Sequence, residues 1–136
     1  CSRFLGRDPV VGICGINPHA GEQSMFGKEE KEFIQPAIKS LCRKFPKLSI
    51  QGPLPGDTVF IPSNLDWYDL VVCMYHDQGF GPLKAIGFDE GVNITAGLPI
   101  IRTSPDHGTA FDIAWTGRAR ELSIKEAIKT AVDLAG

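Results

Sequence analysis

The sequence predicts a layered α/β/α fold with a largely parallel sheet, and three observations carry that expectation. Short apolar, β-branched runs alternate with segments of helical periodicity. The runs are apolar throughout rather than alternating, as in parallel strands buried on both faces. Two histidines, His19 and His76, stand directly after such runs among Gly and Pro, where the strands of parallel sheets deliver their ligand loops.

Val10–Cys14 (VVGIC) reads as the first buried strand, and Pro18 and Gly21 make Asn17–Gly21 a loop. Lys28–Lys44 reads as a helix whose apolar face is Phe33, Ile34, Ala37, Ile38 and Leu41. Glu29, Glu30 and Glu32 near its start and Arg43 and Lys44 near its end complement the helix dipole. Pro36 predicts a kink or a later start. Leu48–Gln51 reads as a short strand, Gly52–Asp57 as a loop and Asp69–Tyr75 (DLVVCMY) as a second buried strand. Val92–Thr95 and Ile100–Arg102 read as further strands, and Gly108 as the opening of a helix through Ala114. Ser123-Ile124-Lys125-Glu126 has the form of a capping box. Behind it, Ile124, Ala127, Ile128, Ala131, Val132 and Ala135 fall at helical spacing.

A length of 136 residues suits one domain or part of one. The chain begins at Cys1, without an initiator Met, and almost at once with a strand. The expectation is that residues 1–136 form the C-terminal portion of a longer protein whose N-terminal portion is absent. A net charge of −2 without Lys/Arg clusters argues against a nucleic-acid surface. Apolar runs such as Leu70–Met74 are too short to span a bilayer, and no signal-peptide pattern opens the chain. Cys1, Cys14, Cys42 and Cys73 are widely spaced and read as small hydrophobes of a reducing cytoplasm.

The chemistry-bearing candidates fall into three groups. His19, His76 and His107 stand in PHAGE, YHDQG and DHGTA. Imidazole is the commonest ligand for borderline metals, but two rim histidines make an incomplete site. Asp57, Asp77 and Glu22 are at hand as further ligands or as acceptors behind them. Lys84, Asn93 and Arg102 form the second group, each beside a short apolar run. Arg offers a planar fork and Lys a mobile charge for phosphate or carboxylate. The third is Asp106–Asp112, a glycine-containing turn whose free N–H groups suit a ribose-phosphate. Neither a dinucleotide fingerprint, nor a phosphate-binding loop, nor a serine-nucleophile elbow is present.

Together, GINPHAGE, GPLPGDTVF, MYHDQG and LKAIGFDEGVNITAGLPIIRTSPDHGTAFDIA resemble the 4-hydroxythreonine-4-phosphate dehydrogenase family of vitamin B6 biosynthesis, in order and over nearly the whole chain. The resemblance implies an isocitrate/isopropylmalate dehydrogenase-like fold, incomplete in this chain. It also implies NAD- (or NADP-) dependent oxidation of a phosphorylated hydroxy acid at a secondary alcohol, followed by decarboxylation. The family's divalent metal (zinc, manganese, cobalt or magnesium) is held by three histidines drawn from both subunits of a homodimer. Two match His19 and His76; the third belongs to an earlier part of the protein. Lys84, Asn93 and Arg102 match substrate-binding positions. Asp57 and Asp77 match acids beside the metal with catalytic roles, and His107, Gly108 and Asp112 match the loop around the adenosine of NAD. The chain departs from the family's glycine-rich pattern at Gln23-Ser24-Met25, and has Trp115 where many relatives have Gly.

Three other readings compete. A sister group of the family acts on D-threonate or D-erythronate 4-phosphate. A non-catalytic binding module would not need the histidines. A metallohydrolase would turn over without NAD.

Overall fold

The computed structural model describes residues 5–88 and 90–136; Cys1 lies outside them. The chain divides into two compact units, Cys1–Pro82 and Leu83–Gly136.

In the first unit three parallel strands form a sheet: β1 (Val10–Cys14), β2 (Ser49–Leu54) and β3 (Leu70–Val72), in the order β2-β1-β3. The central strand β1 is the one whose apolar run is buried. Leu70 and Val72 on the edge strand β3 are about 40% exposed (40% and 39%), so an unbroken apolar run did not mean burial on both faces there. The β1–β2 register slips between Gly12 and Cys14, which pair with Gln51 and Leu54. Two glycines permit this closeness. A Cβ on Gly12 would lie 2.9 Å from Leu54 Cδ1, and one on Gly52 (φ +149°) would lie 2.5 Å from the Ile13 carbonyl oxygen.

The connection from β1 to β2 holds a π-helical turn, Glu30–Ile34, that runs into α1 (Gln35–Lys44). Pro36 thus sits in the first turn of α1, where its missing N–H is harmless. The buried face of this segment is rotated from the one expected: Phe33 is 66% exposed, whereas Ile34, Ile38 and Cys42 pack with Val11, Ile13, Ile50 and Met74. Each Val or Ile so buried contributes roughly 1.5–3 kcal/mol. Arg7 forks onto Asp69 with Nη1–Oδ2 and Nη2–Oδ1 distances of 2.8 and 2.7 Å, and the Val10 N–H donates to the same carboxylate. That pair ties the start of β1 to the start of β3. A short helix, α2 (Pro62–Leu65), lies between β2 and β3.

A third helix, α3 (His76–Gly87), starts directly beyond β3, so His76-Asp77-Gln78-Gly79 forms a first helical turn rather than a loop. In the second unit, β4 (Val92–Ile94) and β5 (Thr103–Pro105) pair antiparallel. The strand expected at Ile100–Arg102 lies three residues later, and Ile100 is 66% exposed. The helix expected from Gly108 to Ala114 is only a 3-10 turn at Phe111–Ile113. The last helix, α4 (Leu122–Ala135), packs on the hairpin. It begins before Ser123, so the capping box does not form. The buried Ser123 Oγ instead donates to the Gly91 carbonyl (3.2 Å) and accepts from the Asp106 N–H (3.3 Å), and Thr103 Oγ1 donates to the Ala127 carbonyl (2.9 Å). Among the described residues no helix is long and apolar enough to cross a membrane.

Candidate functional site

The ends of the three parallel strands surround a cavity of about 470 Å³. Its wall includes Asn17 and His19 from beyond β1, Gly56 and Asp57 from beyond β2, and Tyr75, Asp77 and Gln78 from beyond β3. The sheet thus brings three of the sequence-predicted residues, His19, Asp57 and Asp77, to one cavity. His76 is not on that wall. Its ring stacks on Phe80 at 4.2 Å between centroids and 4° between planes, with Nδ1 2.9 Å from Asp77 Oδ1. With Nδ1 engaged by a carboxylate, Nε2 is the nitrogen left to face a ligand. Among the described residues no group of three or more His, Cys, Asp or Glu side chains converges as a metal site.

The backbone around His19 is unusual. From His19 to Ser24 every residue has φ between +37° and +82°, and only Gly21 among them is a glycine. L-residues pay about 1–2 kcal/mol each for the left-handed region, so such runs persist only where surroundings over-determine them. Two of the departures from the glycine-rich family pattern, Gln23 (φ +56°) and Ser24 (φ +73°), fall on these positions. A third, Trp115, has φ +61°. Each of the three stands where a glycine would be unstrained.

Two polar side chains that the sequence reading did not single out hold the rim. Gln78 Nε2 donates to the Gly15 carbonyl (2.8 Å), and Gln78 Oε1 accepts from the Met74 N–H (2.7 Å), joining the ends of β1 and β3. Glu30, only 3% exposed, accepts the Ile16 and Asn17 N–H groups on Oε1 (2.8 and 2.7 Å) and Asn17 Nδ2 on Oε2 (2.9 Å). The sequence held a signal for it. Glu30 stands four residues before Ile34 and eight before Ile38, so the acid lies on the buried stripe.

Burial pushes the Glu30 carboxyl up, but hydrogen bonds from the Asn17 side chain, the Asn17 N–H, its own N–H and the Ile16 N–H outweigh that and hold it below the usual range. Asp69 is lowered as well, first by the Arg7 hydrogen bond and then by the Val10 N–H. Unfolded, these groups titrate near about 4.3 and 3.9. Their contribution is therefore complete above those values and lost as pH falls through the lower folded values. The melting temperature is expected to be flat from pH 7 to 5 and to fall below about pH 4. Glu30→Gln is expected to lower it at pH 7 and flatten the acid limb; a limb parallel to that of the unsubstituted protein contradicts the assignment.

Burial pushes the Cys14 thiol up to about 12, helped by the charge and hydrogen bond of Cys73, and burial raises the Cys73 thiol as well. Both are held as thiols, consistent with the packing role read from the sequence.

The second unit has its own cavity, about 390 Å³, lined by Phe88, Asp106, His107, Thr109, Trp115 and Arg120 among others. His107 is on its wall, while Gly108 and Asp112 are not. The turn at Phe111–Ile113 is too short to offer a helix N-terminus to an anion. Lys84 is exposed on α3, and Asn93 is on β4. Arg102 continues the hairpin: its carbonyl accepts the Thr95 N–H (3.0 Å) and its Nη1 donates to Thr95 Oγ1 (2.8 Å).

An α/β chain with His19, Asp57 and Asp77 gathered beyond a parallel sheet is similar to known dehydrogenase structures. Its fold matches the 4-hydroxythreonine-4-phosphate dehydrogenase of Klebsiella pneumoniae with a TM-score of 0.82 at 51% identity, covering 98% of this chain and 41% of that one. The family described as pyridoxal phosphate biosynthetic protein PdxA matches residues 1–131, and the chain belongs to it. It is 55% identical over 127 residues to the D-threonate 4-phosphate dehydrogenase of Salmonella typhimurium, covering 93% of this chain. It is 54% identical over 133 residues to the 4-hydroxythreonine-4-phosphate dehydrogenase of Desulfosudis oleivorans, covering 98% of this chain. The chain spans 38% and 39% of the length of those two relatives.

Proposed function

We propose that the full-length protein carrying this chain is an NAD-linked, divalent-metal-requiring dehydrogenase of 4-phosphohydroxy-L-threonine, acting in pyridoxal phosphate biosynthesis. The carrying observation is the cavity beyond the three parallel strands, lined by His19, Asp57 and Asp77, with His76 held by Asp77 through Nδ1. The donors fit a divalent ion in kind, since imidazole suits zinc, manganese or cobalt. They do not fit in number, since no three His, Cys, Asp or Glu side chains converge among the described residues. The missing ligand would come from outside these residues, in a homodimer with a shared site.

His19 and His76 would hold the ion, and Asp77 orients the His76 ring through Nδ1. When bound, the ion supplies Lewis-acid stabilisation of negative charge developing on the substrate oxygen. Asp57, on the cavity wall, would take the proton of the substrate hydroxyl, and NAD, when bound, would supply the hydride acceptor. The β-keto acid so formed loses its carboxylate as carbon dioxide. By the family resemblance, Lys84, Asn93 and Arg102 would bind the phosphate and carboxylate, and the loop carrying His107 would take the adenosine half of the cofactor.

The second reading is oxidation of D-threonate 4-phosphate, favoured by relatives of that name at up to 55% identity, against 54% for the hydroxythreonine enzyme. Following NADH absorbance at 340 nm with both phosphorylated substrates decides between them. The full-length protein is expected to turn over the hydroxythreonine phosphate faster; faster turnover of D-threonate phosphate selects the second reading. The isolated 136-residue chain is expected to give no NADH with either, and measurable turnover by it contradicts the shared-site account.

A further inference from the structure

Strand pairing ends where the cavity opens. The last partners of β1 and β3 are Ile13 and Val72, and those of β1 and β2 are Cys14 and Leu54. Beyond Ile13 and Val72, hydrogen bonds still link the strand ends, and one side chain carries two of them. The Gly15 N–H donates to the Leu54 carbonyl at the end of β2 (2.8 Å). The Gly15 carbonyl accepts from Gln78 Nε2 (2.8 Å), and Gln78 Oε1 accepts from the Met74 N–H (2.7 Å). The Gln78 carboxamide thus stands between β1 and β3 as a peptide group would, donating to one strand end and accepting from the other.

The same carboxamide meets the segment beyond β2. A Cβ on Gly56 would lie 2.7 Å from Gln78 Nε2. The first turn of α3 also closes onto the end of β3, because Gly79 has no side chain: a Cβ there would lie 3.0 Å from Cys73 Sγ. Each contact of Gln78 falls on or beside the cavity wall. Gly15 precedes Ile16, Met74 precedes Tyr75, Gly56 precedes Asp57, and Gln78 itself follows Asp77. Other side chains of similar reach do not satisfy both strand ends. Methionine has no N–H, a carboxylate accepts but does not donate, and asparagine is one methylene shorter.

We propose that Gln78 is a positioning residue for the cavity: its carboxamide sets the spacing of the walls that carry Asp57, Asp77 and residues 16–19, and through it the binding and turnover of the phosphorylated substrate. This rests on the reading of that cavity as the substrate site. It does not depend on which ion, if any, the site takes.

The test uses the full-length protein well below its melting temperature, with whichever of the two phosphorylated substrates it turns over faster. Gln78→Met keeps the length and removes both bonds. It is expected to lower kcat/KM about 10–100-fold, since a misplacement of about 1 Å can cost about a hundredfold. The substrate KM should rise while KM for NAD is unchanged, because His107 of the cofactor loop lines a different cavity. Loss of folded protein alone would lower kcat and leave both KM values as they were. Amide exchange at Met74, whose N–H Gln78 holds, should quicken.

Gly56→Ala pushes on the same group from the other side. Alone it is expected to raise the substrate KM, since its methyl would lie 2.7 Å from Nε2. In a Gln78→Ala background it should cost almost nothing further, because the space is then free and the two losses are coupled. Should Gln78→Met fail to fold, Gly56→Ala carries the test, and an unchanged substrate KM in it overturns the proposal. So does an unchanged substrate KM in folded Gln78→Met, or additive losses from Gly56→Ala and Gln78→Ala. Asp57→Asn is run beside them. If it leaves turnover intact, the reading of the cavity as the substrate site has failed and the proposal with it; if it abolishes turnover while Gln78→Met leaves the substrate KM unchanged, only the positioning role has failed.

Discussion

Replacing His19 or His76 by Ala in the full-length protein is expected to reduce metal-dependent NAD reduction by more than a hundredfold and to remove most divalent-ion binding. Loss of a group that merely orients a metal ligand costs about 10–100-fold, and loss of a ligand removes a bond to the ion itself. Both side chains are exposed at the rim, outside the Val11–Ile13–Ile38 core, so the melting temperature without metal should change little. The two substitutions should differ in one respect. His76 is braced by Phe80 and Asp77, so Asp77→Asn should reproduce part of the His76 defect by weakening the bond at Nδ1. His19 has a looser aromatic neighbour, Phe26, at 5.6 Å and 53°, and its aim depends on the turn instead. Unchanged metal binding in both alanine variants would leave the non-catalytic reading standing.

The second large effect concerns the anionic substrate. Arg102→Ala and Lys84→Met are each expected to raise KM roughly 10- to 150-fold, because a hydrogen bond to a charged group is worth about 1.5–3 kcal/mol. Arg102 uses one N–H on Thr95 Oγ1, which fixes the guanidinium plane beside the β4–β5 hairpin. Arg102→Lys should recover only part of the loss, since an ammonium lacks the planar fork. A substrate analogue without the phosphate assigns the roles. The residue whose removal costs nothing further against that analogue is the phosphate ligand; the other faces the carboxylate. Equal KM values for the parent and both variants would remove Lys84 and Arg102 from the site.

What was legible in the sequence divides along physical lines. β1 was readable residue for residue because it is the central, buried strand, where apolar character and burial coincide. At Ile100–Arg102 apolarity misled: these residues are exposed in this chain, and the pairing falls to Thr103–Pro105. The apparent capping box failed because Leu122 already begins the helix, leaving the Ser123 hydroxyl to tie α4 to the hairpin. His19 was legible because it follows a strand end, whereas Asp57 and Asp77 were named only as nearby acids and through the family resemblance; the cavity holds all three. Gln78 was not legible, because its partners are the backbone groups of Gly15 and Met74, which carry no side-chain signature; Glu30 was not either, although its place on the Ile34–Ile38 stripe was a signal of burial. The glycine departures at Gln23, Ser24 and Trp115 were visible as departures, but only the dihedral angles show that all three fall on left-handed backbone.

The most direct measurement is a crystal structure of the full-length protein grown with Mn²⁺ or Zn²⁺, with anomalous scattering recorded at the metal edge. The account predicts one strong anomalous peak beyond the parallel strands, about 2.0–2.1 Å from a ring nitrogen of both His19 and His76 for zinc and slightly longer for manganese. A peak that engages neither imidazole, or only one of them, would contradict it.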